Sequence, residues 1–363
     1  MPTSIEEALR RVHENVAESL WTIRTCLLPA TVAGYPGALC FRPVTRRLAG
    51  LSRLDLRSFA LLGRPLMPVI RPPSLLPTLV ATLGLFRYAH RGLADPALLP
   101  RIERALPEGR LDQRWLKAYC NCIGLPAIPE EGLPPLALQI AAAPLHMAIL
   151  ADAGFPFPAM GLVHMSQGVS QTRPIPVNAP LILRAFSSAA RLEKRGMSFG
   201  MITEASLHGE VVWRGETRAL AIDRRQQQPR PKARRPAEAQ SKFPPEPRCA
   251  VRLLVPESTG RRYAAIAGDL NPIHQRALLA RLFGFRRAIV HGTWTLARAL
   301  VLAELSALPA YSLQANFRRP VELPSEVLIR AYADGQEQHL LQVLGEDGRQ
   351  SLIEARLSTQ LPG

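Results

Sequence analysis

The feature that most restricts this chain is that part of it is written twice. Arg173-Pro174-Ile175 through Leu181-Ile182-Leu183-Arg184-Ala185-Phe186 aligns without gaps on Arg319-Pro320-Val321 through Val327-Leu328-Ile329-Arg330-Ala331-Tyr332. Upstream, Tyr119 and Gly124 keep the same spacing as Tyr263 and Gly268. An ordered repeat of this kind calls for two copies of one domain, each of roughly a hundred residues. Both copies show the same order of patterns. An apolar helix comes first, over about Pro135 to Ala153 in one copy and about Gly292 to Ser306 in the other. Strand-like runs follow, at Leu181 to Ala189, Ser198 to Ser206 and Glu210 to Ala221, then at Tyr311 to Phe317, Glu326 to Tyr332, His339 to Leu344 and Ser351 to Leu357. One largely buried helix with several antiparallel strands predicts an α+β fold in which a sheet wraps a helix.

Chemistry is concentrated in the second copy, in the segment Tyr263-Ala264-Ala265-Ile266-Ala267-Gly268-Asp269-Leu270-Asn271-Pro272-Ile273-His274, followed by Ile289-Val290-His291-Gly292-Thr293. Asn271 before Pro272 is a helix start, because Asn caps free NH groups and Pro suits the first helical position. His274 then falls in the first turn and Asp269 just before the cap, while Gly268 permits the tight backbone that brings the carboxylate round towards the imidazole. A carboxylate and an imidazole so placed can grip one water, one accepting its proton and the other orienting it or supplying a proton. Gly292 opens the next apolar helix, so its NH has no intrahelical acceptor and lies at the positive end of the helix dipole. Such a donor can stabilise negative charge growing on a thioester carbonyl oxygen.

These residues resemble the MaoC-like dehydratase family, which includes the R-specific enoyl-CoA hydratases. The family pattern is an aromatic residue, a spacer, Gly-Asp-x-Asn-Pro-x-His and a later His-Gly at the start of the central helix. Tyr263, Gly268, Asp269, Asn271, Pro272, His274, His291 and Gly292 match it. The resemblance implies a hotdog fold, here in tandem as a double hotdog. It also implies a hydro-lyase that interconverts trans-2-enoyl and (R)-3-hydroxyacyl thioesters in fatty acid metabolism. Asp269 and His274 would be the catalytic pair, with Asn271 and Gly292 serving the substrate. No metal or redox cofactor is implied; coenzyme A or a carrier-protein phosphopantetheine arm enters as part of the substrate. Ala267 departs from the Ser, Thr, Gly or Cys usual at its position, which removes a supporting hydrogen bond. Counting from Tyr119 as from Tyr263 puts Leu125 at the aspartate position and Glu130 near the histidine position. The first copy has therefore lost the chemistry and is expected to give room to a longer or bulkier acyl chain. The alternative on the same fold is a non-catalytic protein that binds acyl thioesters without turnover; a thioesterase is disfavoured by the motif.

The remaining sequence sets boundaries. Residues 1–110 read as a partly helical extension: Ser4 and Glu7 form a capping box, and Ile5, Leu9, Val12, Val16, Leu20 and Ile23 share a face. The degenerate copy occupies 111–223 and the motif-bearing copy 249–363. Between them, 224–248 is a basic linker rich in Pro, Arg and Gln. A hydrophobic content of 47% supports real cores and excludes a wholly disordered chain. The net charge of +16 is almost all arginine and attracts polyanions in general. The linker lacks interleaved aromatics, so no nucleic-acid partner is expected. Arg261, Arg262, Arg286 and Arg287 flank the motif and are candidates to meet the phosphates of coenzyme A or a carrier arm, or simply to face solvent.

Five scattered cysteines suit neither a disulfide framework nor a zinc site, which points to a reducing compartment. Glu6 and Glu7 stand where an export signal would be basic, so a cytoplasmic location is expected. The longest uncharged apolar stretch, Pro72 to Phe86, falls short of the roughly 18 to 20 residues of a membrane span. A homodimer is left open by the sequence.

Overall fold

The computed structural model describes residues 69–70, 95–157, 161–222, 243–306, 308–335 and 337–360. These belong to one compact unit, Met67–Gly363. The helix expected from Ser4 to Ile23 and most of the linker lie outside the described residues. In chain order the strands are β1 (Val69–Ile70), β2 (Glu103–Ala105), β3 (Arg110–Leu111), β4 (Val163–Gln171), β5 (Ile182–Glu193), β6 (Gly196–Leu207), β7 (Glu210–Ile222), β8 (Cys249–Val255), β9 (Tyr311–Phe317), β10 (Ser325–Asp334), β11 (Gln338–Leu344) and β12 (Ser351–Ser358). The helices are α1 (Gln113–Ile123), α2 (Ala137–Ala141), α3 (Ala143–Leu150), α4 (Thr259–Ala267), α5 (Ala277–Leu282) and α6 (Gly292–Leu302).

Ten strands make one sheet in the order β2-β5-β6-β7-β4-β9-β12-β11-β10-β8. Read from either end, this order visits equivalent strands: β2 answers β8, β5 answers β10, β6 answers β11, β7 answers β12, and β4 meets β9 in the middle. The duplication seen in the sequence is thus a duplication of topology. Its two halves are sewn edge to edge by the antiparallel pair β4·β9, from Ser166 opposite Asn316 to Gln171 opposite Tyr311. Pairing the two inner edges leaves neither of them open to a foreign strand.

Two tryptophans lock the halves further. Trp115 on α1 donates through Nε1 to the carbonyl of Ile266 on α4 (2.9 Å), and Trp294 on α6 donates to the carbonyl of Cys122 on α1 (2.9 Å). Matching local chemistry ends α1 and α4. Each terminates in a left-handed glycine, Gly124 at φ 83° and Gly268 at φ 70°, a conformation that a Cβ disfavours.

In the second half α6 lies against the sheet with Trp294, Leu296, Ala297, Ala299 and Leu300 buried. Each large apolar side chain withdrawn from water contributes roughly 2 kcal/mol. Together they fix the helix's rotation, and with it the direction of the Gly292 amide. The first half differs from expectation. The single helix anticipated over Pro135 to Ala153 is two short ones that meet at Ala142, because Pro144 has no NH to continue the ladder and crowds the carbonyl of Ile140.

Pairing and contacts extend beyond two of the expected boundaries. The first half does not begin at 111: β2 pairs with β5 from Glu103 opposite Phe186 to Ala105 opposite Arg184, and Gly109 bridges Leu181. At the other boundary, the last linker residues are already part of the second half. Phe243 lies 5.4 Å from the Tyr332 ring, and Arg248 donates to the carbonyl of Ala303 (2.6 Å). Among the described residues no helix is long and apolar enough to cross a membrane.

Candidate active site

The motif folds as a sequence of tight turns. Gly268 ends α4, and the Asp269 carboxylate then accepts a hydrogen bond from the Asn271 NH through Oδ1 (3.1 Å). Asn271 caps a one-turn 3-10 helix, Pro272–His274, its side-chain oxygen accepting from the Ile273 NH (3.3 Å). Asn271 therefore spends its carboxamide oxygen on holding the turn, and its amide nitrogen is what it could offer a ligand. Gly260 makes the approach possible from the other side. A Cβ there would sit 2.3 Å from the carbonyl oxygen of His274.

His274 is fixed at both ends. Its Nδ1 lies 2.8 Å from the carbonyl oxygen of Ile289, which can only accept, so Nδ1 carries a proton and Nε2 is the nitrogen turned to the site. The strand-like segment that supplies Ile289 is itself pinned: the Ile289 NH donates to Ile273 and the Val290 NH to Val321. Nε2 of His274 faces Oδ2 of Asp269 at 3.8 Å. The imidazole is nearly buried at 9% exposure, whereas the Asp269 side chain is 50% exposed. The carboxylate is therefore partly open to solvent, and the ring against it is shielded.

His291 joins them. Its ring stacks on His274 with centroids 3.6 Å apart and planes at 24°, and its Nε2 lies 3.5 Å from Oδ2 and 3.4 Å from the backbone oxygen of Asp269. Both neighbours are acceptors, so a neutral His291 carries its proton on Nε2; Nδ1 is buried with no hydrogen-bond partner among the described residues. Burial, helped by the neighbouring His274, pushes the His291 pKa down to about 3 against a smaller upward pull from Asp269. Burial works to raise the Asp269 pKa, but His291, His274 and the Asn271 NH outweigh it and leave the group below its ordinary value of 3.8. The site thus offers an ionised carboxylate beside a neutral His291, with Nε2 of His274 turned towards the same carboxylate.

Tyr263, fully buried, sets its ring edge against His291 (5.0 Å) and donates to Thr293 Oγ1 (3.2 Å), which ties α4 to the start of α6. Gly292 follows as the first residue of α6, where its NH has no acceptor within the helix. A Cβ at 292 would come 2.8 Å from Cδ1 and Cε1 of Phe317, so glycine is the residue that fits without displacing that ring or the start of the helix.

The structure brings Asp269, His274 and Asn271 together as the motif implies, and it adds His291 as a full member of the cluster. In the sequence His291 stands out only as the His of the family's His-Gly, because its stacking on His274 joins positions 17 apart in the chain through a fold contact. The ligand atoms of Asp269, His274 and His291 lie within 4.8 Å of one another, a spacing that would also accept a divalent cation. To bind one through Nε2, His291 would have to move its proton to Nδ1, where it would be buried with no hydrogen-bond acceptor among the described residues. Of the flanking arginines, Arg261 donates to the carbonyl of Gln275 (3.0 Å) and Arg287 to that of Pro324 (3.4 Å), while Arg262 and Arg286 are exposed. In the degenerate half Leu125 follows the left-handed Gly124 as Asp269 follows Gly268, but it packs on the core and carries no acid.

The duplicated topology and this cluster define the class: a double hotdog of hydro-lyase type. The chain belongs to the MaoC-like dehydratase family. The pattern of the MaoC like domain matches residues 231–352. The 3-hydroxyacyl-thioester dehydratase X of Mycobacterium tuberculosis (strain ATCC 25618 / H37Rv) is 33% identical over 239 residues, covering 65% of this chain and 82% of that protein. A crystal structure of HtdX from Mycobacterium tuberculosis aligns with a TM-score of 0.60 at 26% identity, over 71% of this chain and 100% of that one. A MaoC-like dehydratase from Phytophthora Capsici aligns at 0.54 with 16% identity, over 73% and 96% of the two chains, and shares the fold.

Proposed function

We propose that the chain interconverts trans-2-enoyl and (R)-3-hydroxyacyl thioesters of coenzyme A or a carrier protein, with Asp269 and His274 as the catalytic pair. The observation that carries this reading is that Oδ2 of Asp269 and Nε2 of His274 face one another at 3.8 Å while Nδ1 of the same ring is held by the carbonyl of Ile289. When the ring carries its one proton on Nδ1, both facing atoms are acceptors, and the group that satisfies both is a double donor. A water at about 2.8 Å from each subtends roughly 85° between them, close enough to its own bond angle to use both protons.

In the hydration direction this water's oxygen bonds to C3 of the enoyl group while one of its protons passes to the pair. The electron pair of the C2–C3 double bond moves towards the thioester carbonyl. The oxygen of that carbonyl, now carrying negative charge, is held by the Gly292 NH. The proton held by the pair is delivered to C2, so one water is added and nothing is left over. Dehydration is the reverse. His291, neutral, donates to the backbone oxygen of Asp269 and so holds in place the residue that bears the carboxylate.

Supporting the substrate class is the M. tuberculosis relative, named for 3-hydroxyacyl thioesters. The stereochemistry, and the preference for longer chains served by the degenerate half, are extended from the family resemblance. The test is the absorbance of the enoyl thioester followed with crotonyl-CoA and longer enoyl-CoAs. Wild-type protein should hydrate them, giving the (R) product on chiral analysis. Asp269→Asn should lose at least a hundredfold in turnover while keeping its circular dichroism. Undiminished hydration by Asp269→Asn would refute the assignment. Binding without absorbance change in the wild type would instead support an acyl-thioester-binding protein, and equal rates on short and long chains would remove the chain-length reading.

A further inference from the structure

The half without the motif also sends a residue towards the site. His164 lies on β4, next to the seam with β9. The pairing of β4 with β7 slips between His164 and Ser166, so Met165 is an extra residue in the ladder. Such bulges re-aim a side chain and recur beside active sites. The His164 ring lies on Phe317 at the end of β9, with centroids 4.4 Å apart and planes at 55°. Phe317 is the same ring that touches Gly292. One aromatic side chain therefore contacts both the proposed carbonyl-binding amide and an imidazole from the other half.

The state of that imidazole is fixed. Its Nε2 lies 3.1 Å from the carbonyl oxygen of Ser166, which can only accept, so Nε2 carries the proton and Nδ1 holds a lone pair. Burial pushes its pKa down to about 4, against smaller upward pulls from the Ser166 carbonyl and the Asp269 charge. A neutral, part-buried acceptor next to the reaction centre is left without a role by the motif residues. Resting on the proposed hydratase reading, we infer that His164 is a substrate-positioning residue, whose Nδ1 accepts a hydrogen bond from a donor group of the bound acyl thioester beside Gly292. The two donors a thioester brings close to its carbonyl are the 3-hydroxyl and a pantetheine amide NH.

The experiment compares full-length wild type, His164→Phe, His164→Gln and Asp269→Asn in both reaction directions. Phenylalanine keeps a ring on Phe317 and removes the lone pair, while glutamine restores an acceptor. His164→Phe should raise KM about tenfold with kcat within about twofold, and His164→Gln should recover most of that loss. A KM effect confined to the hydroxyacyl thioester identifies the 3-hydroxyl as the donor; an equal effect on the enoyl thioester identifies the amide. Unchanged KM in His164→Phe, alongside an inactive Asp269→Asn, overturns the inference and leaves the hydratase reading standing. A fall in kcat together with a lowered melting temperature, unrelieved in His164→Gln, overturns it in favour of a packing role. Full activity of Asp269→Asn would overturn the hydratase reading and this inference with it.

Discussion

Gly292→Ala isolates the amide that is proposed to hold the thioester oxygen. The backbone accepts alanine at this position, the first of α6, and alanine is the better helix former by about 0.5–1 kcal/mol. The new methyl, however, would lie 2.8 Å from two carbons of Phe317, against an ordinary carbon–carbon contact of about 3.6 Å. Either the ring or the start of the helix must therefore give by about 0.8 Å. Overpacking of this size costs about 1–3 kcal/mol, so the net loss of stability is small and the melting temperature falls by a few degrees. Catalysis is more sensitive. Displacing a donor by about 1 Å costs on the order of a hundredfold, and complete removal of such a donor about a hundred- to a thousandfold. Gly292→Ala is expected to lower kcat roughly 30- to 100-fold in the enoyl hydration assay. Adding Phe317→Leu should clear the space and restore turnover to within a few-fold of the Phe317→Leu single variant. Full turnover by Gly292→Ala, or no recovery in the double variant, would refute the reasoning.

Stability should be lost in mild acid. The folded pKa values of His291, at about 3, and of His146 and His164, at about 4, lie below 6.5 because of burial, so the unfolded chain binds more protons in between. Their contribution is complete above pH 6.5 and is lost progressively as the pH falls towards 4 and then 3; at pH 5 His291 alone removes about 2 kcal/mol. Urea midpoints that are flat between pH 7 and 5 would contradict this. Dialysis against EDTA should leave turnover unchanged, since Nε2 of His291 carries a proton towards the oxygens of Asp269 and so offers a metal no lone pair there; loss of activity restored by zinc would reassign the cluster to a metal.

What the sequence disclosed was whatever its chemistry settles locally. The turn at Gly268, the cap at Asn271 and the one-turn helix carrying His274 follow from residue types within a few positions of one another, and all are present. The strand β9 matches its expected bounds at Tyr311–Phe317 because its burial alternates regularly. β4 was not foreseen: its residues at the seam include the wholly buried Gln167 and the nearly buried Gln171, whose polar side chains hide the pattern of a buried strand. Gln167 is satisfied by the adjacent carbonyl of Gly168 and by Gln139 and Thr217, two partners that only the fold supplies. The same holds for His291 on His274 and for His164 on Phe317, which are contacts between distant segments. The break in the first helix could have been read from Pro144, which was outweighed by the apolar run around it.

The account turns on Asp269 and His274 acting on one water as a unit. The direct measurement is hydration kinetics of Asp269→Asn, His274→Ala and the double variant under identical conditions. Groups that share one step are non-additive, so the double variant should be no slower than the worse single variant within about threefold. Losses that multiply, with the double variant slower by the product of the two single effects, would show that the carboxylate and the imidazole act independently and that no shared water lies between them.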